Sequence, residues 1–310
     1  MQVLLEVTIP VFLVIAAGYL AVRLRFLEDA HIRGLMKFAQ GIAIPCLLFR
    51  AISEIDFVAR FDLHFMLSFY SGSVVAFLLG FLGARHLFGQ DLEDSIAIGF
   101  TALFGNTVLV GLAIVDRAYG GDVLDNTYLL VAFHAPFCYL IGITCMEVAR
   151  STGRNAAGLA RAVLGGMFSN AIMVGIAAGF VVNIFGIPVP MLAGDAVDMV
   201  KETALPAALF GLGGILVRYR PEGDIKIIAW ICLLALVVHP LVTWTLAGPA
   251  AGLDQSMIRS SVITAAMAPG INAYIFASMY GRAMRVAASS VLIGTILSVA
   301  TASVWIVIAG

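Results

Sequence analysis

Charge is scarce in this chain. Only 12% of its 310 residues are Asp, Glu, Lys or Arg, against roughly 25% in ordinary soluble domains. With a net charge of −1 and no basic run, there is no electrostatic basis for holding a nucleic acid. Cysteine is sparse too. Cys46, Cys138, Cys145 and Cys232 all sit in apolar stretches without close C-x-x-C spacing, which speaks for buried thiols and against a disulfide framework or a metal site. Also missing are H-E-x-x-H, G-x-S-x-G, G-x-G-D and any Gly-rich phosphate loop. Their absence removes the usual constellations of an intramembrane hydrolase or a nucleotide site.

What the chain does have is apolar residues, at 61% with a mean hydropathy of +1.02. That composition indicates an all-α polytopic membrane protein. The N-terminal apolar run has no basic residue ahead of it, and Arg23 and Arg25 follow it, so it reads as a retained first helix. Successive apolar stretches predict ten transmembrane helices, near residues 3–22, 34–49, 63–84, 95–115, 126–146, 162–185, 193–217, 225–247, 260–281 and 286–308. The polar stretch from Glu147 to Arg161 divides them, giving a first five-helix half over 1–149, a linker over 150–161 and a second half over 162–310.

The two halves echo one another. I-P-C-L-L-F (Ile44 to Phe49) matches L-P-A-A-L-F (Leu205 to Phe210). The centres Gly105-Asn106-Thr107 and Gly270-Ile271-Asn272 correspond, each followed by a Tyr-Gly turn. Halves of five helices enter from opposite sides, so two inverted repeats are expected. Thirteen of the eighteen Lys and Arg residues fall in the odd-numbered connections. That asymmetry predicts a cytoplasmic location for those loops and both termini outside.

Residues Ser260 to Gly281 form the most informative stretch. They are long enough to cross a bilayer, yet Pro269-Gly270 interrupts them halfway, and Asn272 places a carboxamide beside the break. Backbone freed at that depth must be buried in protein or line a polar cavity. Interrupted helices mark substrate sites in secondary transporters, whereas a proline kink with Asn272 bonded to a neighbouring helix is the structural alternative.

These features resemble the auxin efflux carrier family in a short, bacterial form. The residues that carry the resemblance are Ile9 to Leu20, Ile44 to Arg50, G-N-T-V-L-V-G-L (Gly105 to Leu112), L-P-A-A-L-F-G-L-G-G-I-L (Leu205 to Leu216) and A-M-A-P-G-I-N-A-Y-I-F-A-S-M-Y-G (Ala266 to Gly281). The resemblance implies a fold like that of bile acid sodium symporters, with helices four and nine broken and crossing at mid-membrane. Helices one, two, six and seven would then form a scaffold and homodimer surface, and the others a moving transport domain. One departure concerns helix four. Gly111-Leu112-Ala113 stands where the family usually has a Gly-Ile-Pro-like triplet, which leaves its break to lean on Gly105 and Gly111.

The function implied is secondary transport of small organic anions, carboxylates in particular, by elevator-type alternating access in a bacterial inner membrane. Asn106 and Asn272 would donate to the carboxylate, with Gly105, Thr107, Pro269 and Gly270 forming the rest of the crossing. A cation-coupled carrier of another small solute on the same fold, or a non-transporting membrane sensor, is the alternative. No cofactor or metal is expected. The candidate coupling ion is a proton or Na+, with His134 and His239 as buried ionisable groups and Glu202 in an acidic cluster with Asp195 and Asp198. For each histidine a plain hydrogen bond to a carbonyl competes with that role, and for the acidic cluster a solvated mouth does.

Overall fold

The computed structural model describes residues 4–150, 158, 161, 164, 165 and 171–310. Most of the expected 150–161 linker, and the start of the expected sixth helix, lie outside the described residues.

In the first part of the chain the α-helices are α1 (Ile9–Arg23), α2 (Asp29–Phe38), α3 (Ile44–Glu54), the single turn α4 (Phe57–Arg60), α5 (Leu63–His86), α6 (Leu92–Leu103), α7 (Leu112–Ala118) and α8 (Gly121–Ala149). After it come α9 (Ala171–Ile184), α10 (Met191–Lys201), α11 (Ala204–Leu216), α12 (Ile225–Leu233), α13 (His239–Thr245), α14 (Gln255–Ala265), α15 (Ile271–Tyr280) and α16 (Met284–Ala309).

Several of the few carboxylates cap helix starts. Asp62 accepts from the Phe65 amide at 2.9 Å, Asp91 from Asp94 at 2.8 Å, Asp224 from Lys226 at 2.8 Å and Asp254 from Ser256 at 2.8 Å. Each satisfies a donor that the helix itself leaves free and puts negative charge at the positive end of the dipole.

Five π-helical segments interrupt the apolar helices: Leu4–Thr8, Ala39–Ala43, Thr107–Gly111, Leu234–Val238 and Leu246–Ala250. Proline explains four of them. A proline ring clashes with the carbonyl four residues earlier, and for Pro10, Pro45 and Pro240 that residue lies in the wide turn just before, while Pro249 lies inside its own. Widening the turn relieves the clash without ending the helix. Thr107–Gly111 contains and precedes no proline, and four of its five residues are buried.

The expectation of ten transmembrane helices in two inverted five-helix repeats is overturned. Among the described residues, seven helices are long and apolar enough to cross a membrane: Glu6–Arg23, Asp29–Glu54, Leu63–His86, Gly121–Ala149, Met191–Leu216, Ile225–Ala250 and Met284–Ala309. Four precede the mid-chain divide and three follow it, so they do not form two equal halves. The physical reason is length. Residues 95–115 and 260–281 are apolar enough to read as spans, but each is two short helices. The 12 residues of α6 rise only about 18 Å at 1.5 Å per residue, against about 30 Å of hydrocarbon. Of the expected sixth helix, the 14 residues of α9 are described and its start lies outside the described residues.

Helices α1 and α11 pack so closely that a Cβ on Gly213 would overlap the Ile15 carbonyl, and one on Gly18 the Phe210 carbonyl. Small residues permit this approach between membrane helices. Helix α9 lies along α3, where Asn183 Nδ2 reaches the carbonyls of Ile52, Ser53 and Ile55 at 2.8–3.1 Å and so closes the end of α3. A second set of contacts joins α5 to α6 and α13, α8 to α14, and α16 to α12 and α15.

Charged side chains meet at the ends of these helices. At one end, Arg282 binds Asp91 at 3.0 Å and Glu93 at 2.9 Å, and Arg150 binds Glu93 at 2.9 Å. At the other, Arg60 binds Asp122 at 2.7 Å and Arg50 binds Asp198 at 3.1 Å. Glu6 and Gly310 share that second end, since Arg117 donates to the Glu6 carbonyl and Arg259 to the Gly310 carbonyl.

Candidate functional site

Helix α6 stops at Leu103 and α14 at Ala265, and the two chain breaks that follow are hydrogen-bonded to each other. The Gly270 amide donates to the Phe104 carbonyl at 2.8 Å, and the Asn106 amide to the Ala268 carbonyl at 2.7 Å. Gly105 and Pro269 thereby face each other as a single antiparallel bridge. In this pattern the bonds flank the facing pair, so neither Gly105 nor Pro269 needs its own amide. Proline is thus compatible with the one position that donates nothing. The pairing gives partners to backbone groups that would otherwise be stranded in an apolar interior.

The break after α6 forms without a proline. Phe104 leaves helical angles at φ −89° and ψ 88°, and the Asn106 carbonyl then accepts from both Val110 at 3.3 Å and Gly111 at 3.1 Å, starting the π-helical segment. Gly105 is not what makes room. A Cβ there would sit 3.6 Å from its nearest neighbour, an ordinary contact. Gly270 is the position that needs its hydrogen, because a Cβ would come within 3.2 Å of the Gly105 carbonyl oxygen and 3.3 Å of Asn106 Cα.

Asn106 is 5% exposed, and its Nδ2 is buried with no hydrogen-bond partner among the described residues. A buried amide donor left unpaired costs about 1–3 kcal/mol. Asn272, in the first turn of α15, is half-buried. A cavity of about 30 Å³ is bounded by Phe104, Asn106, Thr107, Gly270 and Asn272, with Gln40 across from them. That is room for water and little for a carboxylate with a carbon chain. Asn272 and Gln40 also line a second cavity of about 750 Å³, whose mouth carries Arg33, Lys37 and Arg218. The two asparagines line one cavity, as expected from the two breaks, whereas Gln40 and the basic vestibule were not foreseen. The available signal was one polar residue inside A-Q-G-I-A-I-P, five residues before Pro45.

The other candidates divide. His134 is 2% exposed, with its ring directed at the Gly105 backbone and 5.1 Å from the Phe104 ring. It belongs to the surroundings of the crossing. His239 is equally buried, with Nε2 3.1 Å from Ser73 Oγ and 3.3 Å from the Phe69 carbonyl. Glu202 is exposed and lines a different cavity of about 560 Å³ with Asp116, Arg117 and Lys201. Its neighbour Asp198 is held by Lys201 at 2.6 Å and by Arg50. The acidic cluster is therefore not part of the crossing.

Comparison with known proteins identifies the family. The family model described as "Membrane transport protein" matches residues 3–159 and 159–306. A protein of Rhizobium meliloti (strain 1021) described as "Putative malonate transporter" is 26% identical over 300 residues, covering 94% of this chain and 92% of its own length. A rice protein (Oryza sativa subsp. japonica) described as "Probable auxin efflux carrier component 5b" is 26% identical over 146 residues, 44% of this chain and 38% of that one. With nearly the whole chain matched, this polytopic protein belongs to the membrane transport protein family, as a transporter and not an enzyme.

Proposed function

We propose that the protein is a secondary transporter of small organic carboxylates that binds its substrate at the crossing of the two chain breaks. The observation that carries this reading is the Asn106 carboxamide: a buried donor without a partner among the described residues, next to Gly105, which faces Pro269 across the bridge. An anion arriving there accepts from Asn106 and Asn272 and meets the positive end of the α15 dipole. No Arg or Lys lies within either break, which suits a site that must also release its anion. The whole-length relative described as a malonate transporter makes malonate the first ligand to test.

The 750 Å³ cavity reaches Asn272 from the end bearing Arg33, Lys37 and Arg218, and the Lys and Arg excess assigns that end to the cytoplasm. The described state is then inward-open, in a bacterial inner membrane with residues 6 and 310 on the periplasmic side. The α1–α3 and α9–α11 helices serve as a scaffold and dimer surface. The remaining helices carry the crossing through an elevator-type movement, coupled to a proton or Na+. His134 is the coupling candidate at the crossing, and its contact with Gly105 also fits a purely structural hydrogen bond.

Counterflow tests the reading. Proteoliposomes preloaded with unlabelled malonate should accumulate labelled malonate above its equilibrium level, and protein-free liposomes should not. If no carboxylate among malonate, succinate, acetate and indole-3-acetate shows counterflow from functionally reconstituted protein, the proposal is wrong.

A further inference from the structure

We infer that Gln40 is a substrate-binding residue that reads the second carboxylate of a short dicarboxylate. This rests on the crossing being a carboxylate site. Four residues line both the small crossing cavity and the large vestibule: Gln40, Ile172, Ile271 and Asn272. Only two of them are polar, and they come from different helix groups, Gln40 from the π-helical segment joining α2 to α3 and Asn272 from α15. An anion lying between the crossing and the vestibule must pass between these two carboxamides.

Gln40 is half-buried inside an apolar span, and its side chain makes no hydrogen bond to any described residue. A polar group at that depth is costly unless it faces a cavity or a ligand. The local backbone directs it there. The widened turn over Ala39–Ala43 relieves Pro45, and π-bulges of this kind recur at functional sites. Going toward the mouth, Lys37 and Arg33 precede Gln40 by three and seven residues and so share its face of the helix. Among the described residues lining the vestibule there is no Asp or Glu. The potential along this path is therefore positive, and an anion is drawn in without a competing carboxylate.

The chemistry separates mono- from dicarboxylates. A monocarboxylate held by Asn106 and Asn272 presents only its apolar end to Gln40. A three- or four-carbon dicarboxylate presents an acceptor to the Gln40 amide group, with Lys37 one turn further out. Discrimination against an analogue lacking the polar group is large when a site is built to bond that group. Gln40 is thus a specificity-determining residue on the opposite side of the substrate from the crossing.

Calorimetry on purified full-length protein, comparing malonate with acetate for the wild type, Gln40→Leu and Gln40→Asn, tests this. Gln40→Leu should weaken malonate about ten-fold or more, the loss of a hydrogen bond to a charged group, and leave acetate within about two-fold. Gln40→Asn, which keeps a shorter amide, should fall between. Melting temperatures without ligand report folding, and Asn stands in if the Leu variant does not fold. Equal loss for both ligands, or no loss for either, overturns the inference. So does a wild type that binds acetate but not malonate, although the crossing site then survives. A wild type that binds no carboxylate ends both.

Discussion

Asn106 and Gly270 show how much of the site depends on single atoms. The two asparagines were legible in the sequence because a carboxamide beside a break in an apolar helix has few structural uses. How closely each glycine is approached was not legible. The first break was expected to lean on Gly105 and Gly111; a Cβ at Gly105 meets only ordinary contacts, one at Gly111 comes within 3.2 Å of the Met267 side chain, and one at Gly270 comes within 3.2 Å of the opposing backbone. Composition cannot report that distance, since it is set by two segments far apart in the chain. Gly270→Ala should therefore force the bridge apart and lower stability by about 1–3 kcal/mol, in the range of other overpacked sites. Gly105→Ala should melt within a degree or two of the parent, because its Cβ meets only ordinary contacts. Thermal melts of both variants in detergent check this, and equal destabilisation by the two would contradict it.

Among the elements, the apolar stretches were legible, and of the two breaks only the one carrying Pro269 had its own sequence signal. Hydropathy averages over a window and does not register that Phe104 or Gly270 leaves helical angles; the break near Gly270 was legible from Pro269-Gly270, and the one after α6, which has no proline, was expected only from the family resemblance. Helix ends were more readable, because Asp62, Asp91, Asp224 and Asp254 sit where N-caps are expected. Glu93, in the first turn of α6, joins three elements by binding Arg282 and Arg150. The Arg282 hydrogen bond, followed by the Arg150 contacts, holds the Glu93 carboxyl below the usual glutamate range and raises the Arg282 guanidinium. A depressed carboxyl stabilises the fold above its unfolded pKa, and that stabilisation is lost as pH falls through the folded value. On acidification below the ordinary glutamate pKa of about 4.3, the melting temperature should therefore fall more steeply for the wild type than for Glu93→Gln. Parallel pH profiles for the two proteins would rule out this linkage.

For the whole molecule, the polytopic membrane class and the transporter family were legible from composition and motif order, and the number of spans was not. Two features of the assembled chain had no sequence signal beyond the basic asymmetry. The ion pairs fall into two groups at opposite ends, and the large cavity opens at the end rich in Lys and Arg. This orientation is testable in a background with Cys46, Cys138, Cys145 and Cys232 replaced by alanine. A membrane-impermeant maleimide should label a cysteine introduced at Asp195 in intact cells, and one introduced at Arg25 only after permeabilisation. The reverse pattern would invert the assignment and place the basic vestibule outside.

The most direct test of carboxylate binding at the crossing is a paired measurement on Asn106→Ala: its melting temperature without ligand and its dissociation constant for malonate. Removing a donor to a charged group should weaken binding by about 1–3 kcal/mol, roughly five- to 150-fold, with melting near that of the parent because the Nδ2 group has no partner among the described residues. A variant that melts several degrees lower yet binds malonate as tightly as the wild type would contradict the site and leave Asn106 a packing residue.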